Sequence, residues 1–511
     1  MYPGTHAART PDKVAVTFID TGETLTYGQL ENHSIRLANI LHEAGLHRGD
    51  VIALLTDNDL RAFEVYWAAL RSGLYITAIN YHLGPEEAAY IVNDSGAGAL
   101  IVSAAQADLA AAIAAETPAA KLTLAFGGAV EGYASYEESL TAASDVPLDE
   151  QPHGMPMLYS SGTTGRPKGV RPPLPTTQVT EIGDPMTRLL GGYFGLGEET
   201  VYLSPAPLYH AAPLRWCAAV NVHGGTVLAL KKFDAQMCLH AIDKHRVTHA
   251  QFVPTMFVRM LQLPQKLRAR YDVSSLRVAV HAAAPCPVEV KQKMIDWWGP
   301  ILVEYYGATE GNGMTITDSA TWLTRPGTVG KAAIGVLHIC DDDGAELPPG
   351  EIGNVYVERD SVVFTYHNAP EKTKASQHPG HETWTTLGDI GYLDEDGYLF
   401  LTDRKAFVII SGGVNIYPQE TENVLALHPA IHDVAVIGLP HAEMGEYVAA
   451  FVQLAPGAEA GPEQEQAITD FVRTNIASYK APRRVFFVDE LPRTETGKLV
   501  KGELKKRYTP S

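Results

Sequence analysis

Cysteine is scarce, with four residues in a chain of 511. Cys217, Cys238, Cys286 and Cys340 are scattered, with no Cys-x-x-Cys and no paired spacing. Neither a disulfide framework nor a zinc site is expected, and a reducing cytoplasm suits the chain. Nineteen histidines are present, yet His-Glu-x-x-His is absent, which removes the usual zinc-hydrolase signature. No apolar run approaches the roughly 20 residues of a membrane span. Residues 1–6 lack the basic-then-apolar order of a signal peptide. The expected location is the cytoplasm, with peripheral contact at a membrane left open. Positive charge is also short: the net charge is −19 and the longest basic run is Lys505-Lys506-Arg507. Nucleic acid is therefore not an expected partner. The common nucleotide loop, Gly-x-x-x-x-Gly-Lys-Ser/Thr, is missing too.

What is present is a different kind of phosphate loop. Tyr159-Ser160-Ser161-Gly162-Thr163-Thr164-Gly165-Arg166-Pro167-Lys168-Gly169 sets hydroxyls, glycines and cations side by side. Such a stretch supplies backbone N–H groups, O–H groups and positive charge together, which is what a polyphosphate requires.

The chain exceeds the roughly 250–300 residues at which one core stops growing, so more than one domain is expected. Residues 14–100 alternate short apolar strands (14–19, 51–55, 76–79, 100–102) with amphipathic helices (28–44, 63–70). That alternation predicts an α/β fold with a mainly parallel, helix-covered sheet. Residues 104–120 read as an Ala-rich helix and 127–153 as a connecting region. Strands are predicted at 201–204, 226–230, 249–253, 278–281 and 301–305, and helices at 213–222 and 235–245. Ligands of parallel sheets bind beyond strand carboxyl ends. The phosphate loop, 205–210, 282–285 and 306–313 are all expected at such ends, converging on one site. From Thr328 the pattern shifts to short strands joined by Asp341-Asp342-Asp343-Gly344 and Asp394-Glu395-Asp396-Gly397, which predicts an antiparallel β subdomain. A small α+β unit closes the chain, with the boundary at 403–406: residues 1–403 form the large domain and 404–511 the small one.

Five motifs occur in register: 159–169, 306–310, Thr386-Leu387-Gly388-Asp389, Asp403-Arg404, and Pro492-Arg493-Thr494-Glu495-Thr496-Gly497-Lys498. Their order and spacing resemble the adenylate-forming superfamily, which holds acyl-CoA synthetases, peptide-synthetase adenylation domains and firefly luciferase. The resemblance covers the whole chain. Glu304-Tyr305-Tyr306-Gly307-Ala308-Thr309-Glu310-Gly311-Asn312 is similar to the fatty-acid-transport and very-long-chain acyl-CoA synthetase branch. The segment from Ile409-Ile410-Ser411-Gly412-Gly413 to Pro418 is similar to bacterial acyl- and aryl-CoA ligases.

The resemblance implies an AMP-forming ligase using ATP, CoA and Mg²⁺. It implies that Ser160, Ser161, Gly162, Thr163, Thr164, Gly165 and Lys168 hold the β- and γ-phosphates. Glu310 would bind Mg²⁺ and Thr309 the α-phosphate. Tyr306, with Gly307 behind it, would stack on adenine against Ala283, Ala284 and Pro285. Asp389 would accept the ribose hydroxyls and Arg404 would donate to the ribose. Lys498 would bridge the carboxylate and the α-phosphate in the first transition state. The small domain would then rotate about Ala406, a position where many relatives carry Asp or Lys, bringing Ser411, Gly412 and Gly413 to the pantetheine tunnel. His210 matches the family's gating residue.

The acyl pocket, by the same analogy, draws on Trp216, Val253, His281, Ala282, Tyr305 and Asn312. No carboxylate follows His210, so an amino-acid ammonium would go unpaired there. The substrate expected is a mostly apolar carboxylic acid, fatty, aryl or cyclic. An acyl-AMP ligase loading a carrier protein is the alternative. A luciferase-like oxygenase and a non-catalytic binding protein stand behind it, and a homodimer is left open.

Overall fold

A computed structural model describes residues 2–160, 167–181, 185–493 and 499–509. The strand Val51–Leu55 of the first sheet, Val-Ile-Ala-Leu-Leu, is apolar at every position and wholly buried. A strand covered on both faces must read that way. Six strands of this sheet pair in parallel in the order Ala134–Ser135, Leu122–Phe126, Ala97–Ser103, Val51–Leu55, Tyr75–Ile79, Met155–Pro156.

A second sheet has nine strands. Its central run, Leu302–Gly307, Val278–His281, His249–Phe252, Val201–Ser204, Thr226–Ala229 and Val14–Phe18, is parallel, and antiparallel strands flank it at both edges. Helices Tyr27–Glu43, Arg61–Arg71 and Ala211–Val222 share one core cluster with residues of both sheets, including Leu37, Trp67, Trp216, Ile101 and Val227. The first of these starts on a capping box, Thr26 with Gln29, which satisfies two orphan N–H groups at once.

Three of the four unusual loops do follow strands of the nine-stranded sheet. The phosphate loop does not. Ser160 and Lys168 are opposite partners in the antiparallel pair Leu158–Ser160 and Lys168–Arg171, so the loop caps a hairpin. Thr365–Tyr366 pairs on the outer side of Lys168–Arg171.

The β subdomain is antiparallel, as its turns predict: Gly353–Glu358, His381–Thr385, Asp389–Leu393 and Leu399–Arg404 form its middle. Asp341 takes the N–H groups of Asp343 and Ala345 at 2.9 and 2.8 Å, and Gly344 sits at φ +89, the conformation that a glycine adopts without strain. The closing unit is built on the long hairpin Ile431–His441 and Gly445–Leu454, with Arg484–Phe487 parallel to its second arm. Helices Pro418–Leu425, Pro462–Asn475 and Lys501–Tyr508 complete it.

Some elements differ from the expectation. The Ala-rich helix ends at Ala114, preceded by a short 3-10 turn. The region read as connecting contains the helix Tyr136–Ala142, whose Tyr136 is buried and donates to the buried Glu64 at 2.8 Å.

Candidate active site

Asp389 and Arg404 face each other across adjacent strands. Their side chains meet, with Arg404 Nε 3.0 Å from Asp389 Oδ1. The other carboxylate oxygen accepts a 2.6 Å hydrogen bond from the Tyr306 hydroxyl. Asp389 is only 6% exposed, and these two donors give the buried carboxylate hydrogen-bond partners. Burial first, and then the Asp389 charge, push the Tyr306 phenol well up, which keeps it protonated and donating. Three residues named separately in the sequence thus form one unit.

Just past the strand Val278–His281, which neighbours that of Tyr306, Ala283 is exposed, at φ +74. A non-glycine residue in the left-handed region marks stored strain. Ala284 is half-buried and Pro285 exposed beside it, presenting a low wall.

Glu310 lies in the turn after the strand Leu302–Gly307. Its Oε1 accepts from the Tyr366 hydroxyl at 2.8 Å, and Lys168 Nζ sits 5.0 Å from the centre of the Tyr366 ring. Lys168 has its pKa lowered by burial and by the nearby Lys372, against the pull of Glu310. A cation so placed, short of a close carboxylate partner, is prepared for an anion. Tyr366 escaped sequence reading, as did Asp94, which accepts from the Tyr159 hydroxyl at 2.6 Å and from Asn368 at 3.2 Å and so ties the strand Leu158–Ser160 to the segment that follows Thr365–Tyr366. Gly169 is tight: a Cβ there would come within 2.9 Å of the Tyr159 ring. Thr309 is half-buried beside Glu310. Arg359 braces this turn by donating to the carbonyls of Gly311 and Asn312 at 3.2 and 3.3 Å.

Ser161, Gly162, Thr163, Thr164, Gly165 and Lys498 lie outside the described residues, as does the side chain of Ser160. The base of the Lys498 loop is described. Arg493 bridges to Leu499 and pairs with Asp433 through two hydrogen bonds of 2.6 and 2.7 Å.

His210 is the N-cap residue of the helix Ala211–Val222, with its ring 4.3 Å from that of Tyr209. Tyr305 and Trp216 come together. The Tyr305 hydroxyl accepts from Gln251 Nε2 at 2.8 Å, and Trp216 packs against Phe194 and Tyr202. Burial raises the Tyr305 phenol, while Trp216, Gln251 and the Arg215 charge oppose it. Gln251 is a further residue that sequence reading missed.

His281 does not join this group. Side chains alternate along a strand, and Val280 faces the cluster holding Trp216, whereas His281 turns to the opposite face. There it is fully buried, 5.5 Å from the Phe257 ring and 3.7 Å from Glu304, which pairs with the equally buried Lys291 at 2.5 Å. Val253 also belongs to that second cluster, with Phe257 and Trp298. Asn312 is buried, and its amide donates to Thr385 O at 3.4 Å, tying the turn to the β subdomain. Of the expected acyl wall, Trp216 and Tyr305 pack together, and Ala282 is buried at the end of its strand.

Ser411 pairs with Val414 around Gly412 and Gly413, at φ +58 and +81. A two-residue hairpin turn with both φ values positive requires this glycine pair, so local geometry already accounts for it. A Cβ on Gly412 would meet Met444 at 2.6 Å.

Tyr306, Asp389 and Arg404, which the resemblance assigns to one nucleotide site, do meet, and Glu310 and Lys168 flank the same tyrosine, Tyr366. Comparison with known proteins agrees: residues 4–367 match the family model of the AMP-binding enzyme, and residues 420–498 match the AMP-binding enzyme C-terminal domain. The chain belongs to the AMP-binding enzyme family, within the adenylate-forming superfamily. It is 34% identical to a feruloyl-CoA synthase of Amycolatopsis sp, over 99% of this chain and 98% of that one. It is 32% identical to the fatty acid–acyl-carrier-protein ligase ScoC of Streptomyces coeruleorubidus, over 98% and 95%. The crystal structure of ATP-bound MatB from Rhodopseudomonas palustris superposes with a TM-score of 0.82 at 29% identity, covering 99% of both chains.

Proposed function

We propose that this chain is an AMP-forming carboxylic acid–CoA ligase. The carboxylate oxygen attacks the α-phosphorus of ATP, the bond to the β-phosphate oxygen breaks, and pyrophosphate leaves with the bonding pair. The CoA sulfur then attacks the acyl carbon, AMP departs with its oxygen, and the thiol proton passes to solvent. The observation that carries this reading is the nearness of two trios, Tyr306–Asp389–Arg404 and Lys168–Tyr366–Glu310, with the Glu310 charge felt at Tyr306 and the Arg404 charge at Tyr366.

Asp389 offers a carboxylate to the ribose hydroxyls, and Arg404 pairs with it from the facing strand. Lys168 draws in the terminal phosphates. Glu310 is a lone carboxylate oriented by Tyr366, and a hard cation that keeps its waters and shares phosphate oxygens needs no more than that from the protein. Mg²⁺ held there would neutralise phosphate charge. Lys498, on the small domain formed by residues 404–511, neutralises charge between the two reacting anions. Rotation about Ala406 would exchange it for the Gly412-Gly413 turn and the thiol. Buried, unreactive thiols suit a cytoplasmic protein.

Lys498→Ala tests the division of labour. Pyrophosphate exchange into ATP is expected to fall by at least ~10²-fold, while conversion of supplied acyl-AMP and CoA to thioester is retained. Equal loss of both half-reactions would contradict it. The relation to ScoC favours a second reading, a carrier-protein thiol as acceptor.

A further inference from the structure

Lys291 is fully buried on the helix Val288–Trp298, and its ammonium donates to the carboxylate of the buried Glu304 at 2.5 Å. Among the described residues this is the only hydrogen bond of that ammonium, and the Trp322 ring is centred 4.9 Å from it. His281 lies nearby but supplies no polar tie. Its Nε2 is 3.7 Å from Glu304, and neither ring nitrogen has a hydrogen-bond partner among the described residues. An ion pair taken out of water gains little stability over apolar side chains of the same volume. What it supplies is direction, because a charge-assisted hydrogen bond fixes distance and angle where apolar contact does not.

The place of the pair decides what it directs. Glu304 and Tyr306 are two residues apart on the strand Leu302–Gly307, so they share a face, about 7 Å from each other. His281 ends the neighbouring strand, directly opposite Glu304. Between His281 and Lys291 the chain runs through Ala283, Ala284 and Pro285, the wall that faces adenine in the ligase reading. One end of this segment is held beside Glu304 by strand pairing, and the other by the ion pair. Ala283 stands within it at φ +74, and a non-glycine residue keeps such a conformation only where its surroundings over-determine it. We propose that Lys291 and Glu304 are positioning residues: their bond holds segment 283–285 against the strand of Tyr306 and sets the width of the slot that takes adenine. This inference rests on the ligase reading above and adds to it two residues that act without touching the nucleotide.

The test titrates the full chain with AMP by calorimetry, so the acid need not be known. Removing one partner alone strands a buried charge, so the main variant replaces both, Lys291→Met with Glu304→Leu. It is expected to melt close to the wild type and to bind AMP about 10- to 100-fold more weakly, the order for a misplaced binding group. Adding Ala283→Gly is expected to recover part of that loss, because glycine adopts the required φ without the pair. The same change in the wild type recovers nothing. Glu304→Gln, which keeps the shape, is read in the same way should the double variant fail to fold. Unchanged AMP affinity, or an effect of Ala283→Gly that is the same in both backgrounds, overturns the assignment. Failure of both variants to fold, or loss of AMP binding only in step with unfolding, would show a structural role and overturn it as well. A wild type that binds no AMP would instead strike at the nucleotide site of the ligase reading.

Discussion

At the scale of the residue, the site works through shared oxygens. Each carboxylate that is assigned to the nucleotide has a tyrosine hydroxyl on one oxygen: Tyr306 on Asp389 and Tyr366 on Glu310. Tyr366→Phe removes the donor that orients Glu310. It is expected to cut kcat/KM for ATP about tenfold, the worth of one hydrogen bond to a charge, in initial-rate measurements; an unchanged value would remove Tyr366 from the site. The cysteines behave in the opposite manner. Burial pushes the Cys217 thiol up to about 12 and raises Cys238, Cys286 and Cys340 as well. Thiolate is therefore rare at neutral pH. Native protein is expected to resist iodoacetamide at pH 7.5, and denatured protein to take up four equivalents, by intact mass. Fast labelling of the native fold would contradict the burial. Glu310 and Asp389 were legible because they stand in compact, chemically unusual motifs. Tyr366 was not: its segment has ordinary composition, and only the pairing of Val170 with Tyr366 brings it to Glu310.

At the scale of the element, the nine-stranded sheet sorts side chains by parity. His281 and Tyr305 sit on neighbouring strands, yet His281 lies opposite Glu304 in the pairing, so its ring shares the face of Glu304 and not that of Tyr305. The sequence showed the strand Val278–His281 with its true ends but carried no mark of which face met the ligand. Burial holds the His281 ring well below its usual pKa and lowers His249 also. The sign follows: the unfolded chain takes up protons below about pH 6.5 while these folded rings stay neutral, so stability is full above that value and falls beneath it by up to about 1.4 kcal/mol per pH unit per ring. Glu304, whose carboxyl is raised by burial against the pull of Lys291, titrates with the opposite sign. The comparison with His281→Phe isolates the ring: the variant is expected to lose less melting temperature between pH 7.5 and 5.5 than the wild type. An equal loss would show that His281 does not titrate with unfolding. The Gly412-Gly413 turn makes a separate prediction. Gly413→Ala forces an L-residue to φ +81, at a cost of about 1 kcal/mol in denaturant unfolding. Unchanged stability would mean that the turn has relaxed to another type.

At the scale of the whole molecule, the nine-stranded sheet, the three-stranded sheet holding Lys168–Arg171 and the antiparallel subdomain supply Tyr306, Lys168 and Asp389, and Arg493 at the base of the Lys498 loop pairs with Asp433 of the long hairpin. Alternation of strand and helix made the parallel architecture legible, and the Asp-Gly turns marked the antiparallel part. Helices such as Pro85–Ser95 and Val288–Trp298 were not read, although Pro85 followed by Glu86 and Glu87 marks the start of the first. The identity of the acid was the least legible feature, because residues expected at the acyl pocket, such as Tyr305 and Trp216, meet only through tertiary packing. The central claim is that all these parts serve one activation of a carboxylate by ATP. The most direct test incubates the full chain with ATP, Mg²⁺, CoA and a pool of mono- and dicarboxylic acids and reads the products by mass spectrometry. The account predicts an acyl-CoA with AMP and pyrophosphate in equal amounts. Acyl-AMP that accumulates without any thioester would contradict CoA as the acceptor, and ATP left intact would contradict the activation itself.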